Sequence, residues 1–322
     1  MSDSSNDSPR IRLGISTCLM GEKVRYDGGH KLDRWIANTL GQYVDFVPVC
    51  PEVECGLPVP REAMRLVGDP EAPHLETSRT HRDLTGQMMT WVERRVMELE
   101  SEGLSGFVFK SKSPSSGMER VKVYNDKGMP HGTSPGLFAK AFMEHFPLMP
   151  VEDDGRLHDA GLRENFIERI FVYQRWRDMM AAGATRKALV DFHTRHKLLL
   201  MSHDEKLMRQ MGKLVADPEA HTPEDLFERY RQHLLTALGH IATVRRHINV
   251  LEHILGYFKD ELSADEKRET LETIEEYRRG HVPLVVPVTL LNHYVRKFDE
   301  PYLKKQYYLH PHPLELQLRN HV

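Results

Sequence analysis

The 322 residues carry 44 Lys and Arg against 47 Asp and Glu, a formal net charge of −3. That length exceeds a small single core and implies two domains. The near-balance of charge leaves nucleic acid possible as a partner but unsupported, and no apolar run approaches the length of a membrane span, so no membrane partner is expected. Three cysteines, an odd number confined to the first fifty-five residues, argue against a disulfide framework.

Met1 to Arg10 is polar, lacks the basic and apolar regions of a signal peptide, and reads as a disordered leader. A cytoplasmic protein with reduced thiols follows as the expectation. From Ile11 to about residue 150, short apolar runs alternate with helical stretches. Ile11–Ser16 and Val44–Val49 read as strands, and each leads directly to a cysteine, Cys18 and Cys50. A proline-rich loop holding Cys55 comes next, then a polar segment through Thr85. Met88–Leu99 has helical spacing. Gly106–Lys110 reads as a third strand and Val121–Tyr124 as a fourth. Residues 130–135 read as turn, and a helix begins at Leu137. This order predicts an α/β domain with a small parallel, Rossmann-like sheet.

Glu152-Asp-Asp-Gly155 reads as a linker, covering about 151–160, and residues 161–322 read as an all-α helical bundle. Thr222-Pro223 marks a helix start that leads into a long pattern ending near Asp260. Ser263-Ala-Asp-Glu266 has the form of a capping box, with a helix closing at Arg279-Gly280. His193, His196 and His203 fall near one helical face. Without a carboxylate at the spacing of a helical zinc motif, they read as packing and hydrogen-bonding residues.

Loops at the carboxyl ends of parallel strands meet at one sheet edge. Three segments are expected there: Ser16–Gly21 with Val24–Gly29, Cys50–Glu62, and Lys110–Arg120. Each is rich in Gly, Pro and Ser, as loops that place side chains on a rigid scaffold are. Cys18, Cys50 and Cys55 form a three-thiolate set of the kind that suits zinc or an iron–sulfur cluster; three unrelated buried thiols are the alternative. Lys110 and Lys112 read as solvated.

The runs Cys50-Pro-Glu-Val-Glu-Cys-Gly-Leu-Pro-Val-Pro-Arg61, Ser113-Pro-Ser-Ser-Gly-Met-Glu-Arg-Val-Lys-Val-Tyr124 and Arg25-Tyr-Asp-Gly28 resemble a bacterial two-domain family. Its N-terminal half is similar to the thiouracil desulfidases (the TudS type), and its C-terminal half to the YbgA-type helical domain. The resemblance implies a [4Fe-4S] cluster held by three cysteines, here Cys18, Cys50 and Cys55. It also implies removal of sulfur from 2-thiouracil or a similar thiolated nucleobase or thioamide. The short desulfidases commonly end the Ser-Pro-Ser motif with cysteine, where this chain has Ser116, so Cys55 is expected to supply the missing thiolate. On this reading Glu52 is the acid or base, with a loop carboxylate paired to Arg61 or Arg120 as the alternative. Ser113 orients the ring or relays a proton and Ser116 hydrogen-bonds the leaving sulfur, or both form the turn and cap ahead of Met118. Arg25 and Asp27 bind the substrate's polar edges or buttress their loop. A non-enzymatic protein with a structural metal or cluster, binding nucleic acid or protein through the helical domain, is the competing class.

Overall fold

The computed structural model describes residues 10–217, 220–313, 316 and 318–321. Residues 1–9 of the expected leader lie outside the described residues. The chain divides into two compact units at His158 and Asp159.

In chain order, unit 1 contains β1 (Ile11–Ser16), β2 (Val44–Val49), α1 (Pro51–Glu54), β3 (Met64–Val67), β4 (His74–Thr77), α2 (Thr85–Ser101), β5 (Phe107–Phe109), β6 (Val121–Tyr124), β7 (Pro130–Ser134), α3 (Leu137–His145) and β8 (Val151–Asp153). One sheet runs β2-β1-β5-β8, parallel throughout. All of β1 except Arg12 is buried, as suits a parallel strand covered on both faces. Gly14 is fixed by its neighbour: a Cβ there would lie 2.2 Å from the Phe107 ring. Phe107 and Phe109 of β5 pack with Phe138 and Phe142 of α3 in the core of this unit, and Trp91 of α2 reaches Phe138.

Two sequence readings change. Val121–Tyr124 is a strand, but it belongs to a second sheet, ordered β4-β3-β6-β7. There it pairs in parallel with β3 and antiparallel with β7, so residues read as polar segment and turn form strands. The fourth strand of the parallel sheet is β8, at the start of the acidic run read as a linker. Its Glu152 and Asp153 are buried because Arg156 satisfies them: its Nε donates to Glu152 and its backbone N–H donates to Asp153.

Unit 2 is helical: α4 (Ala160–Ala181), α5 (Arg186–His203), α6 (Glu205–Ala216), α7 (Pro223–Gly239), α8 (Val244–Gly256), α9 (Ala264–Arg278) and α10 (Val285–Lys297) pack around one apolar core. Side-chain caps fix the starts of α4 to α9: Asp159, Thr185, Asp204, Thr222, Thr243 and Ser263 each accept a backbone N–H of the first turn. The capping box at Ser263 and Glu266 forms with both reciprocal bonds. The long pattern expected from Thr222 to Asp260 is broken at residues 240–243, where the chain leaves α7 and Thr243 caps α8. Among the described residues, no helix is long and apolar enough to cross a membrane.

Candidate active site

β1, β2 and β5 are adjacent and parallel, so the segments following them emerge at one edge of the sheet. They enclose a cavity of about 470 Å³ lined by Cys18, Cys50, Glu52, Ser113 and Ser116, with Arg25, Arg61 and Lys110 among its cationic walls. Cys18 lies in the 3-10 turn after β1. Cys50 is the N-cap of α1, and its N–H donates to the Glu54 carboxylate at 2.7 Å.

The serine loop is held by α3. Backbone N–H groups of Leu137 and Phe138, without partners inside their own helix, donate to the carbonyls of Pro114 and Ser115. Gly117 and Gly136 permit this approach, with the Gly136 N–H donating to Gly117 O at 2.8 Å. Within the loop, Ser113 Oγ accepts from the N–H groups of Ser115 and Ser116, an internal turn that sets all three hydroxyls.

Ser116 Oγ lies 3.4 Å from Ser115 Oγ, and the other two of those hydroxyls meet on Glu52. Its Oε1 accepts from Ser115 Oγ at 2.6 Å and from Ser113 Oγ at 3.4 Å. Its Oε2 lies 3.8 Å from Arg61 Nη2 and 3.6 Å from Cys50 Sγ. Arg61 also donates to Val24 O, tying the Arg25 loop to the Cys50 loop. The Glu52 and Arg61 side chains are only 12% and 8% exposed, so the charge pair is shielded from solvent.

The thiols are unionised as the structure stands. Burial pushes the Cys18 thiol up to about 11 and Cys50 up to about 12, and the Glu52 charge adds to both. Loading a metal therefore displaces their protons.

Of the residues expected at the site, Cys18, Cys50, Glu52, Ser113, Ser116 and Arg25 line the cavity. Cys55 and Asp27 do not. Cys55 Sγ donates to Glu52 O at 3.2 Å, and the side chain packs against the apolar core. Asp27 is exposed, and its Oδ1 accepts from the Gly29 N–H, forming the turn. Lys110 is not solvated: it lines the cavity and its Nζ is 2.8 Å from Asp154 Oδ2. The sequence does not single out Ser115, although it makes the shortest bond to Glu52. A run of three serines among four residues gives no local sign of which hydroxyl faces inward. Lys112 also lines the cavity and is exposed.

Zinc-type convergence of the thiols is absent. Among the described residues, one group of three His, Cys, Asp or Glu ligand atoms lies mutually within 4.8 Å, and it is Glu164, Glu168 and His312 in unit 2. On α5, His193 Nδ1 meets Tyr230 OH at 3.1 Å, and His203 bridges Glu168 and the His240 carbonyl. Both are hydrogen-bonding core residues.

Residues 13–154 match the family model described as 2-thiouracil desulfurase, and residues 197–313 match one described as a protein of unknown function, DUF1722. The uncharacterized protein YbgA of Escherichia coli (strain K12) is 34% identical over 153 residues, which cover 47% of this chain and 90% of YbgA. A solved structure titled [4Fe-4S]-dependent thiouracil desulfidase TudS is 27% identical, covering 46% of this chain and 94% of that one, with a TM-score of 0.38. The chain belongs to the two-domain family that joins a 2-thiouracil desulfurase-type domain to a YbgA-like helical domain.

Proposed function

We propose that unit 1 is a desulfidase for a small thiolated pyrimidine such as 2-thiouracil, replacing the exocyclic sulfur with oxygen from water. The observation that carries this reading is the coincidence of the 2-thiouracil desulfurase match with a cavity that gathers two thiols, a shielded carboxylate and a serine loop.

A [4Fe-4S] cluster fits this cavity in part. Cys18 and Cys50 on its wall would hold it; Cys55, its sulfur on the Glu52 carbonyl and its half-buried side chain packed against the core, lies outside the cavity lining. Ser116 Oγ is the further donor on the same wall. When bound, such a cluster supplies a Lewis-acidic iron for the substrate sulfur.

The chain's own residues do the remaining work. Glu52 takes the proton of the attacking water, held in orientation by Ser115 and Ser113. Arg61 stabilises the carboxylate before the transfer. Arg25 on the cavity wall offers donors to the ring's polar edge. The ring carbon gains oxygen and loses sulfur as hydrosulfide, so no electrons are exchanged and neither flavin nor nicotinamide is needed.

Anaerobic purification tests the proposal. The expected product is brown protein with about four iron and four acid-labile sulfide per chain, releasing hydrosulfide from 2-thiouracil. Glu52→Gln should keep the iron and lose at least about a hundredfold in turnover. Colourless zinc protein, or an iron-loaded Glu52→Gln variant with full turnover, overturns the reading.

A further inference from the structure

Tyr26 lines the active-site cavity of unit 1, yet 43% of it is exposed. Among the described residues its ring packs on no other ring and its hydroxyl makes no hydrogen bond, so neither packing nor polar pairing accounts for it. It is also the one aromatic side chain among the residues that line the cavity. The other apolar members of the wall, such as Val24, Pro51, Met64 and Pro114, present no flat face.

The loop that carries the ring is fixed. Tyr26 O accepts from the Arg61 N–H at 2.8 Å, which joins it to the Cys50 loop. The Arg25 N–H donates to Gly29 O and the Gly28 N–H to Arg25 O, closing a tight turn. Gly28 completes that turn at a φ of +74°, a conformation that glycine adopts without strain. The backbone thus sets where the ring stands. Beside it, the Arg25 guanidinium carbon lies 5.3 Å from the ring centroid, so an apolar platform and a fork of donors stand side by side.

Hydrogen bonds fix the edge of a ligand, but they do not separate a flat conjugated ring from a puckered ring or an open-chain thioamide with the same edge. An aromatic face does, because stacking rewards a flat partner. Building on the desulfidase reading of the same cavity, we propose that Tyr26 is its specificity-determining residue. Its ring stacks on the substrate ring and narrows the substrate class to flat heteroaromatic thiocarbonyl compounds, against acyclic thioamides.

Isothermal titration of the anaerobically purified full chain with uracil and with dihydrouracil tests the platform, since the two share their hydrogen-bonding groups and only uracil is flat. Uracil should bind saturably and at least about fivefold more tightly than dihydrouracil. Tyr26→Leu should lose about tenfold in uracil affinity and the preference with it, while Tyr26→Phe keeps both. Tyr26 is half exposed and outside the core, so neither substitution threatens folding, which circular dichroism checks. In iron-loaded enzyme, Tyr26→Leu should raise KM for 2-thiouracil about tenfold and leave kcat within about twofold. The proposal fails if uracil gives no saturable heat, if dihydrouracil binds equally well, if Tyr26→Leu keeps wild-type affinity and KM, or if Tyr26→Phe loses as much as Tyr26→Leu. Iron-loaded wild type that binds uracil with this preference, yet releases no hydrosulfide from 2-thiouracil, would sink the desulfidase reading and leave the stacking role of Tyr26 standing.

Discussion

Glu52 stands where a serine loop, an arginine and a cysteine meet, and the direction in which each neighbouring side chain points determines what the cavity can hold. Cys50 and Cys55 are five residues apart across the single turn of α1. At 100° per residue, that separation rotates the second side chain about 140° from the first. Cys50 lines the cavity while the half-buried Cys55 packs against the core outside that lining. This geometry predicts unequal cysteines. Cys18→Ser and Cys50→Ser should each abolish iron uptake, whereas Cys55→Ser should retain it, and Ser116→Cys should raise the iron retained through gel filtration. Iron per chain is the readout. Loss of iron in Cys55→Ser with no gain in Ser116→Cys would return Cys55 to the ligand set. The sequence gathers the right loops because parallel strands deliver them to one edge. It does not reveal which way Cys55 turns, because Pro51–Glu54 is too short for a helical period to stand out from a proline-rich loop.

The serine loop depends on an element that holds no chemistry, since α3 fixes it through backbone bonds at its first turn. Gly136 is the closest point of that approach: a Cβ there would meet Ser115 C at 2.5 Å and Ser115 O at 2.6 Å. Backbone cannot move aside as the end of a flexible side chain can. Gly136→Ala should therefore cost about 1–3 kcal/mol, seen as a lower urea midpoint, and should reduce desulfidase turnover by displacing Ser115. Gly86, in the first turn of α2 with nothing within 4 Å, is the matched control, and its alanine variant should be neutral or slightly stabilising. Equal stability of the two variants would dissociate α3 from the loop. The same scale explains what was unreadable at first. β1, β2 and β5 are legible because their residues are mostly apolar, with the exposed Arg12 and Asp45 the charged interruptions. The second sheet is not: β3 and β4 are four residues each and carry Arg65, His74 and Glu76, while β7 begins at Pro130 and contains Gly132, residues that favour turns. The helix starts at Thr222 and Ser263 are legible through their capping side chains, whereas the break after α7, capped by Thr243, is hidden by apolar spacing that runs on through Ile241 and Val244.

Across the whole molecule, the distribution of buried histidines sets how the protein responds to acid. Burial lowers His193 to about 4 and His247 to about 3, and it presses His196 in the same direction. Each has its ordinary value of 6.5 once unfolded. Below that pH the unfolded chain takes up protons that the folded chain refuses, so these groups contribute stability at neutral pH that is lost as pH falls. Glu164 opposes them. Burial and the Glu168 charge raise it to about 8, so the folded chain gains its proton first and is stabilised as pH falls toward 4.5. Glu168 does not enter this window. Against the cost of burial, His203 and Arg319 hold it well below 4.5, and its contribution is lost only at lower pH. Burial lowers His310 and His312 as well, so five histidines outweigh one glutamate, and unfolding below pH 6.5 takes up protons at a cost of about 1.4 kcal/mol of stability per pH unit for each net proton. Urea unfolding followed by far-UV circular dichroism reads chiefly unit 2, which holds most of the helix. Its midpoint should drop steadily from pH 7.5 to 5.5, and His247→Asn should flatten the slope by about 1.4 kcal/mol per pH unit. A midpoint that stays level or rises over that range would mean that these histidines are protonated in the folded chain.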